Sequence, residues 1–191
     1  MMTKKILIFL SLVTVFSFLG CGPSGKTEEE MKTNSLNYFE EMQSSLKKEL
    51  KKAMESGGPS HAVSVCRDIS PAIESEMSKK YGLTIRRFSD KNRNLDHQPD
   101  AFESSVLSRW QSEIKNGNKP QVVAEKDGEN FRVVKPILIG DALCLKCHGS
   151  PSEIDAKTQA VLSEKYPNDK ATGYSTGDLR GAFSAVWKLS K

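Results

Sequence analysis

From Ser35 to Ser56 the apolar residues Leu36, Phe39, Met42, Leu46, Leu50 and Met54 return at steps of three and four, which keeps them on one face of an α-helix. Gly57-Gly58-Pro59 ends that run. Ser60 can cap a second helix, whose stripe of Ala62, Cys66, Ile69, Ile73 and Met77 continues to about Lys80 before Gly82 closes it. Pro71 lies inside this stripe and predicts a kink or break near Ile69 or Ser70, because proline removes a helical N–H and crowds the preceding turn. Residues 83–89, LTIRRFS, read as a short strand, and KNRNLDHQPD reads as a turn-rich loop. Phe102, Val106, Leu107, Trp110 and Ile114 mark a helix from Pro99 to Asn116. QVVAEK and FRVVKPILI, on either side of Asp127-Gly128, form a hairpin pattern. A helix over about 152–165, the Gly-rich ATGYSTGDLRG and a last strand, AFSAVWKL, complete the order. Helices and strands in this succession predict an α+β domain with an antiparallel sheet flanked by helices and a long N-terminal helical segment. Tyr174 and Trp187 read as core aromatics.

The first twenty residues follow a different pattern. Lys4 and Lys5 precede an apolar run from Ile6 to Leu19, and Gly20 precedes Cys21. This is the pattern of a signal peptide over residues 1–20, shorter than the roughly 20 apolar residues of a membrane-spanning helix. A cysteine placed there resembles a bacterial lipobox, although Phe18 and Leu19 depart from its usual residues. The reading predicts a lipidated Cys21, a flexible tether over 21–34 and a folded domain over 35–191, held on the periplasmic side of a bacterial membrane. The chain has 28 Lys and Arg against 24 Asp and Glu. Basic and acidic residues alternate without forming a stripe, so no nucleic-acid partner is expected. The one dense run, KKELKK at 47–52, fits the solvated face of a helix.

Four cysteines in an exported chain would ordinarily suggest two disulfides. Here Cys144-Leu145-Lys146-Cys147-His148 spells C-x-x-C-H, the attachment pattern of c-type haem. Two thiols on one helical turn can reach the two vinyl groups along one porphyrin edge, and the adjacent imidazole then stands under the iron. A zinc site would need a second pair of ligands, for which only Cys66 and the scattered His61 and His97 remain. A thioredoxin-like pair would need a strand-to-helix turn of a parallel sheet. A closed disulfide between Cys144 and Cys147 would leave His148 without a role. Cys66 is the odd cysteine, and its place on an apolar stripe also suits a small buried hydrophobe.

Five blocks in one order carry a wider resemblance: AVSVCRDISPAI, IRRFSDKNRNLDHQPDAFE, FRVVKPI, CLKCHG and KYPNDKATGYSTGDLRGAFSAVW. Together they resemble a bacterial family of single-haem c-type proteins with a PAS-like fold, first described only as a domain of unknown function. The resemblance spans roughly residues 35 to 191. It implies a PAS-like antiparallel sheet and one covalently attached haem c. It also implies thioether links at Cys144 and Cys147, His148 as proximal axial ligand and Cys66 as distal axial ligand. Met54, Met77, His61 and His97 are the other candidates for the distal position. The family's commoner RNPxNxPD is RNLDHQPD here, which puts His97 forward as a haem-edge residue. Arg86, Arg87, Arg93 and Arg180, with Lys135 behind them, are the cations that the family blocks offer to the propionates. A thiolate ligand stabilises ferric iron and lowers the reduction potential. The function expected is an exported, membrane-anchored redox or small-gas responsive (sensor) haem module, with CO, NO or a redox partner protein as candidate partners. The alternative is a low-potential periplasmic electron-transfer cytochrome. An enzyme such as a peroxidase is the weakest reading, since two axial ligands leave no open position and no distal acid–base pair is evident.

Overall fold

Thr27 and Glu30 start the first helix with a reciprocal cap. The Thr27 hydroxyl accepts from the Glu30 N–H at 3.2 Å, while the Glu30 carboxylate accepts from the Thr27 N–H at 2.7 Å. The computed structural model describes residues 25–189, so the signal peptide and Cys21 lie outside the described residues. Helix α1 runs from Glu28 to Tyr81. It therefore begins within the stretch expected to be tether, and Met31 is already packed into the core with Phe39 and Met42. Hydrophobic anchoring of that first turn is what extends the helix N-terminally.

α1 is two helical arms joined at Gly58, whose φ of 71° and ψ of −167° are not helical. The arms fold back on each other. Lys80 of the second arm bonds Glu41 of the first at 2.6 Å, Tyr81 donates its hydroxyl to the same carboxylate, and the Tyr81 ring stacks on Tyr38. The expected break at Gly57-Gly58-Pro59 is thus present. The expected kink near Ile69 or Ser70 is not, because helical backbone continues through Pro71. Pro71 and Arg67 both lie on the exposed face of the arm, so the Arg67 carbonyl left unpaired by proline faces water. Gly82 ends the arm in the left-handed conformation, its N–H donating to the Ser78 carbonyl at 3.0 Å.

Four strands follow in the chain: β1 (Thr84–Phe88), β2 (Val123–Asp127), β3 (Asn130–Leu138) and β4 (Leu179–Lys188). They form an antiparallel sheet in the order β1-β4-β3-β2, open at both edges. Alternation along the strands sorts the side chains into two faces. Ile85, Phe131, Val133, Phe183, Ala185 and Trp187 pack against Met31, Phe39, Met42 and Met77 of α1. The Trp187 indole N–H donates to Ser35 Oγ at 2.8 Å, satisfying both buried groups. On the other face, Phe88, Val134 and Ala182 pack against Val106, Leu107 and Trp110 of α2 (Ala101–Lys115). Buried charge accompanies that second layer. Arg132 reaches Asp100 at 2.6 Å, Asp127 at 3.1 Å and the fully buried Glu103 at 3.3 Å, which fixes the start of α2 to the sheet.

Two short helices, α3 (Ala142–His148) and α4 (Ala156–Lys165), lie in the connection between β3 and β4. Ile154 and Leu162 dock on Val63 in the second arm of α1, bringing the connection against that arm. The observed architecture is the expected α+β class, with an antiparallel sheet between a long N-terminal helical segment and α2. Among the described residues no helix is long and apolar enough to cross a membrane.

Gly58 occupies a backbone region open essentially to glycine, and a Cβ there would meet no neighbour. Gly58→Ala is therefore expected to lose about 1–3 kcal/mol through backbone strain alone. Urea unfolding followed by circular dichroism measures it.

Candidate functional site

Asp141 sets the start of α3 by accepting from the Leu143 N–H at 2.8 Å and the Cys144 N–H at 3.3 Å. Cys144 and Cys147 then stand one turn apart on the same side of the helix. The N–H of Gly149 closes α3 on the Leu145 carbonyl at 2.9 Å, and a Cβ on Gly149 would come within 2.7 Å of that oxygen. The helix can therefore stop immediately after His148 only with glycine there.

The segment after α4 is laced to this end of α3. Tyr174 N–H donates to the His148 carbonyl at 2.9 Å, and Gly173 N–H donates to the Gly149 carbonyl at 2.8 Å. His148 Nδ1 lies 2.7 Å from the Ala171 carbonyl. A carbonyl can only accept, so Nδ1 carries the proton and Nε2 is left with its lone pair. Burial, reinforced by the Arg180 and Arg93 charges, holds the imidazole well below the ordinary histidine range, so it is neutral near pH 7. A neutral ring with one nitrogen fixed and the other open is the state a metal ligand requires.

Arg93 ties three chain segments together. Its Nη2 donates to the Cys147 carbonyl at 2.6 Å and to the Ala171 carbonyl at 3.2 Å, and its Nε donates to Asp169 at 3.0 Å. Cys66 sits on the second arm of α1, one turn beyond Val63, and is half-buried. Burial raises its thiol, opposed by the Arg87 and Arg93 charges, with Glu49 of the first arm adding to the rise. The Cys147 thiol is also raised by burial and feels Cys66. The two sulfurs thus share one electrostatic neighbourhood, although their residues are far apart in sequence. Cys144, by contrast, packs with Leu145 against Ile139, Ala171 and Tyr174.

Arg180 has no carboxylate partner among the described residues. Its Nη1 donates to the Lys91 carbonyl at 3.3 Å and its guanidinium lies 5.6 Å from the Tyr174 ring centre, with Lys91 Nζ over the same ring at 4.3 Å. Burial pushes this guanidinium below the ordinary arginine range. The Tyr174 hydroxyl, close to Ser89 and Arg180, is buried without a hydrogen bond. A buried cation without an anion and an unsatisfied hydroxyl beside it are features that an anionic group would complete.

The structure therefore brings together Cys66, Cys147, His148, Arg87, Arg93 and Arg180, with Cys144 on the turn below. It does not bring Arg86 there. That side chain leaves the opposite face of β1, donates to the Asp96 carbonyl at 2.9 Å and the Gln98 carbonyl at 2.7 Å, and lies 3.5 Å from Glu103. Strand alternation thus places Arg86 on the face opposite Arg87. Lys135 pairs with Glu40 at 3.8 Å. Met77 belongs to the core under α1, His61 is exposed, Met54 is half-buried on the first arm, and His97 bonds Glu74 at 3.1 Å. Sequence reading missed the structural use of Arg93, whose partners Asp169 and Ala171 lie far along the chain, and it missed Glu74 altogether.

The residue set can be tested against the group that C-x-x-C-H implies. Two thiols on one turn, a neutral imidazole with a free Nε2, a half-buried third thiol and an unpaired guanidinium all suit a covalent haem with its propionates. Among the described residues no group of three or more His, Cys, Asp or Glu is placed to hold a metal ion by itself.

Fold and site together define an α+β module in which a C-x-x-C-H helix is clamped beside a cysteine-bearing helical hairpin. The chain belongs to the Tll0287-like family, whose model matches residues 24–187. Among solved structures, the cyanobacterial heme-protein Tll0287 is 24% identical, with a TM-score of 0.66 over 87% of this chain and 99% of that one. That likeness shows the shared fold. No curated protein matches the chain.

Arg93→Lys keeps the charge but offers one ammonium where three acceptors are spread in space. Its expected cost is roughly 1.5–3 kcal/mol, the worth of a lost charge-assisted hydrogen bond. The midpoint of denaturant unfolding reads this loss.

Proposed function

We propose that this protein is an exported, membrane-anchored monohaem c-type module with a PAS-like sheet, and that the state of its axial ligands is a signal of redox poise or of a small gas such as CO or NO. The observation that carries the reading is the arrangement of His148 and Cys66 around one set of guanidiniums, beside the two cysteines of C-x-x-C-H. Family membership supports the haem, since the solved heme-protein has this fold. Residues 1–20 as signal peptide and Cys21 as lipid-bearing residue belong to the same proposal.

When bound, haem supplies a one-electron redox centre and an affinity for diatomic gases. The chain's residues divide the remaining tasks. Cys144 and Cys147 supply the thioethers and fix the group to α3. His148, its Nδ1–H held by Ala171, offers Nε2 as proximal ligand. Cys66 offers its sulfur from the second arm of α1, and the Arg87 and Arg93 charges favour the thiolate form it needs. Arg180, unpaired by any carboxylate among the described residues, receives a propionate. Release of Cys66 shifts the packing of the helix that carries it, a change that a partner protein can read.

Full-length protein matured with haem c, compared with Cys66→Ala by optical and EPR spectroscopy, tests the reading. Wild type is expected to show a low-spin thiolate signature that the variant lacks, while Cys144→Ala with Cys147→Ala abolishes covalent attachment. An identical spectrum in Cys66→Ala would remove Cys66 as a ligand. Ferrous protein that keeps an unchanged six-coordinate spectrum and binds no CO would remove the switching role and leave low-potential electron transfer as the function.

A further inference from the structure

Glu74 and His97 lie outside the ligand set, yet they form a chain of buried polar groups that ends at it. Glu74, on the second arm of α1, is 8% exposed. One of its oxygens accepts from Arg87 Nε at 2.8 Å, and the other lies 3.1 Å from His97 Nε2 and accepts from the Arg87 backbone N–H at 3.4 Å. Arg87 Nη2 also bonds Ser70 Oγ on the same arm. The guanidinium is therefore held on two sides by α1, and its charge acts on Cys66 and on His148.

The charges close a definite ledger. Burial works to raise the Glu74 carboxyl, but the His97 bond and the Arg87 charge outweigh it and hold the group below the ordinary carboxylate range. Glu74 is thus an anion near pH 7, and as an anion it can only accept. His97 must then carry its proton on Nε2, and its Nδ1 has no hydrogen-bond partner among the described residues. Facing His97 are Glu74 from α1 and, behind it, Arg87 from β1. Beside it stand Asp96 on its own turn and Arg86, whose guanidinium rests on the Asp96 and Gln98 carbonyls and lies near Glu103 of α2.

Resting on the haem reading above, we propose that Glu74 is a positioning residue that fixes and neutralises Arg87 beside the candidate ligands. The guanidinium is held at Nε by Glu74 and at Nη2 by Ser70. Uncancelled, its positive charge would favour the reduced state of a redox group held there, so the Glu74 carboxylate keeps the potential low.

The test uses full-length, haem-loaded protein in a dithionite titration with mediator dyes. Wild type and Glu74→Gln are compared. Glu74→Gln leaves Arg87 uncompensated and is expected to shift the midpoint potential upward with the axial-ligand spectrum unchanged. An unmoved potential in Glu74→Gln overturns the proposal even if the thiolate spectrum is intact. Absence of covalent haem, or a spectrum indifferent to Cys66→Ala, instead defeats the reading on which the proposal stands, and the proposal with it.

Discussion

The reversal at Gly58 governs where the chemistry of this chain can occur. An uninterrupted α-helix over Glu28–Tyr81 would be roughly 80 Å long at 1.5 Å per residue, and Glu41 would stand nearly 60 Å from Lys80. In the folded chain those residues share a 2.6 Å bond. Tyr38, Tyr81 and Glu41 lock the far ends of the two arms together, while the arm that carries Cys66 is set by Val63 against Ile154 and Leu162. The arm is thus fixed at both ends. Cys66 lies between these two anchors.

The second constraint is the lacing of the α3 end to the connection that leads into β4. Arg93 binds the carbonyls of Cys147 and Ala171 and the carboxylate of Asp169, and Ala171 in turn accepts from His148. One carbonyl therefore serves both the guanidinium and the imidazole. The His148 tautomer is not an independent choice, since it follows from where Arg93 holds the backbone. Second-layer partners of this kind orient a ligand and set its basicity.

Much of this could be read from the sequence, and the failures have physical causes. Spacing gave the arms, the Gly58 break, the hairpin and the C-x-x-C-H turn, because each is decided by near neighbours. Pro71 misled because proline costs less inside a helix on an exposed face, where Pro71 and Arg67 both lie. The boundary at Ser35 was late because Met31 gains its anchor from the sheet, through residues far along the chain. Arg86 and Arg87 are adjacent, and only strand alternation separates them. Ile85 buried under α1 puts Arg87 on that face and Arg86 on the other, a distinction that LTIRRFS contained but that block resemblance erased. The structural bonds of Arg93 and Glu74 were illegible because their partners lie in distant segments.

The cations around the site have opposite effects on the two candidate ligands. Positive charge opposes burial at the Cys66 thiol, favouring the thiolate, and reinforces burial at His148, favouring the neutral imidazole. Both effects move each side chain toward the form in which it can donate to a metal. Three guanidiniums without anions would also repel one another, and the chain offsets this unequally. Glu74 answers Arg87 and Asp169 answers Arg93, each within 3.0 Å, while no carboxylate among the described residues answers Arg180. The remaining positive charge therefore collects at one place, beside Tyr174 and on the His148 side of the cluster. An anionic group seated there would remove the imbalance.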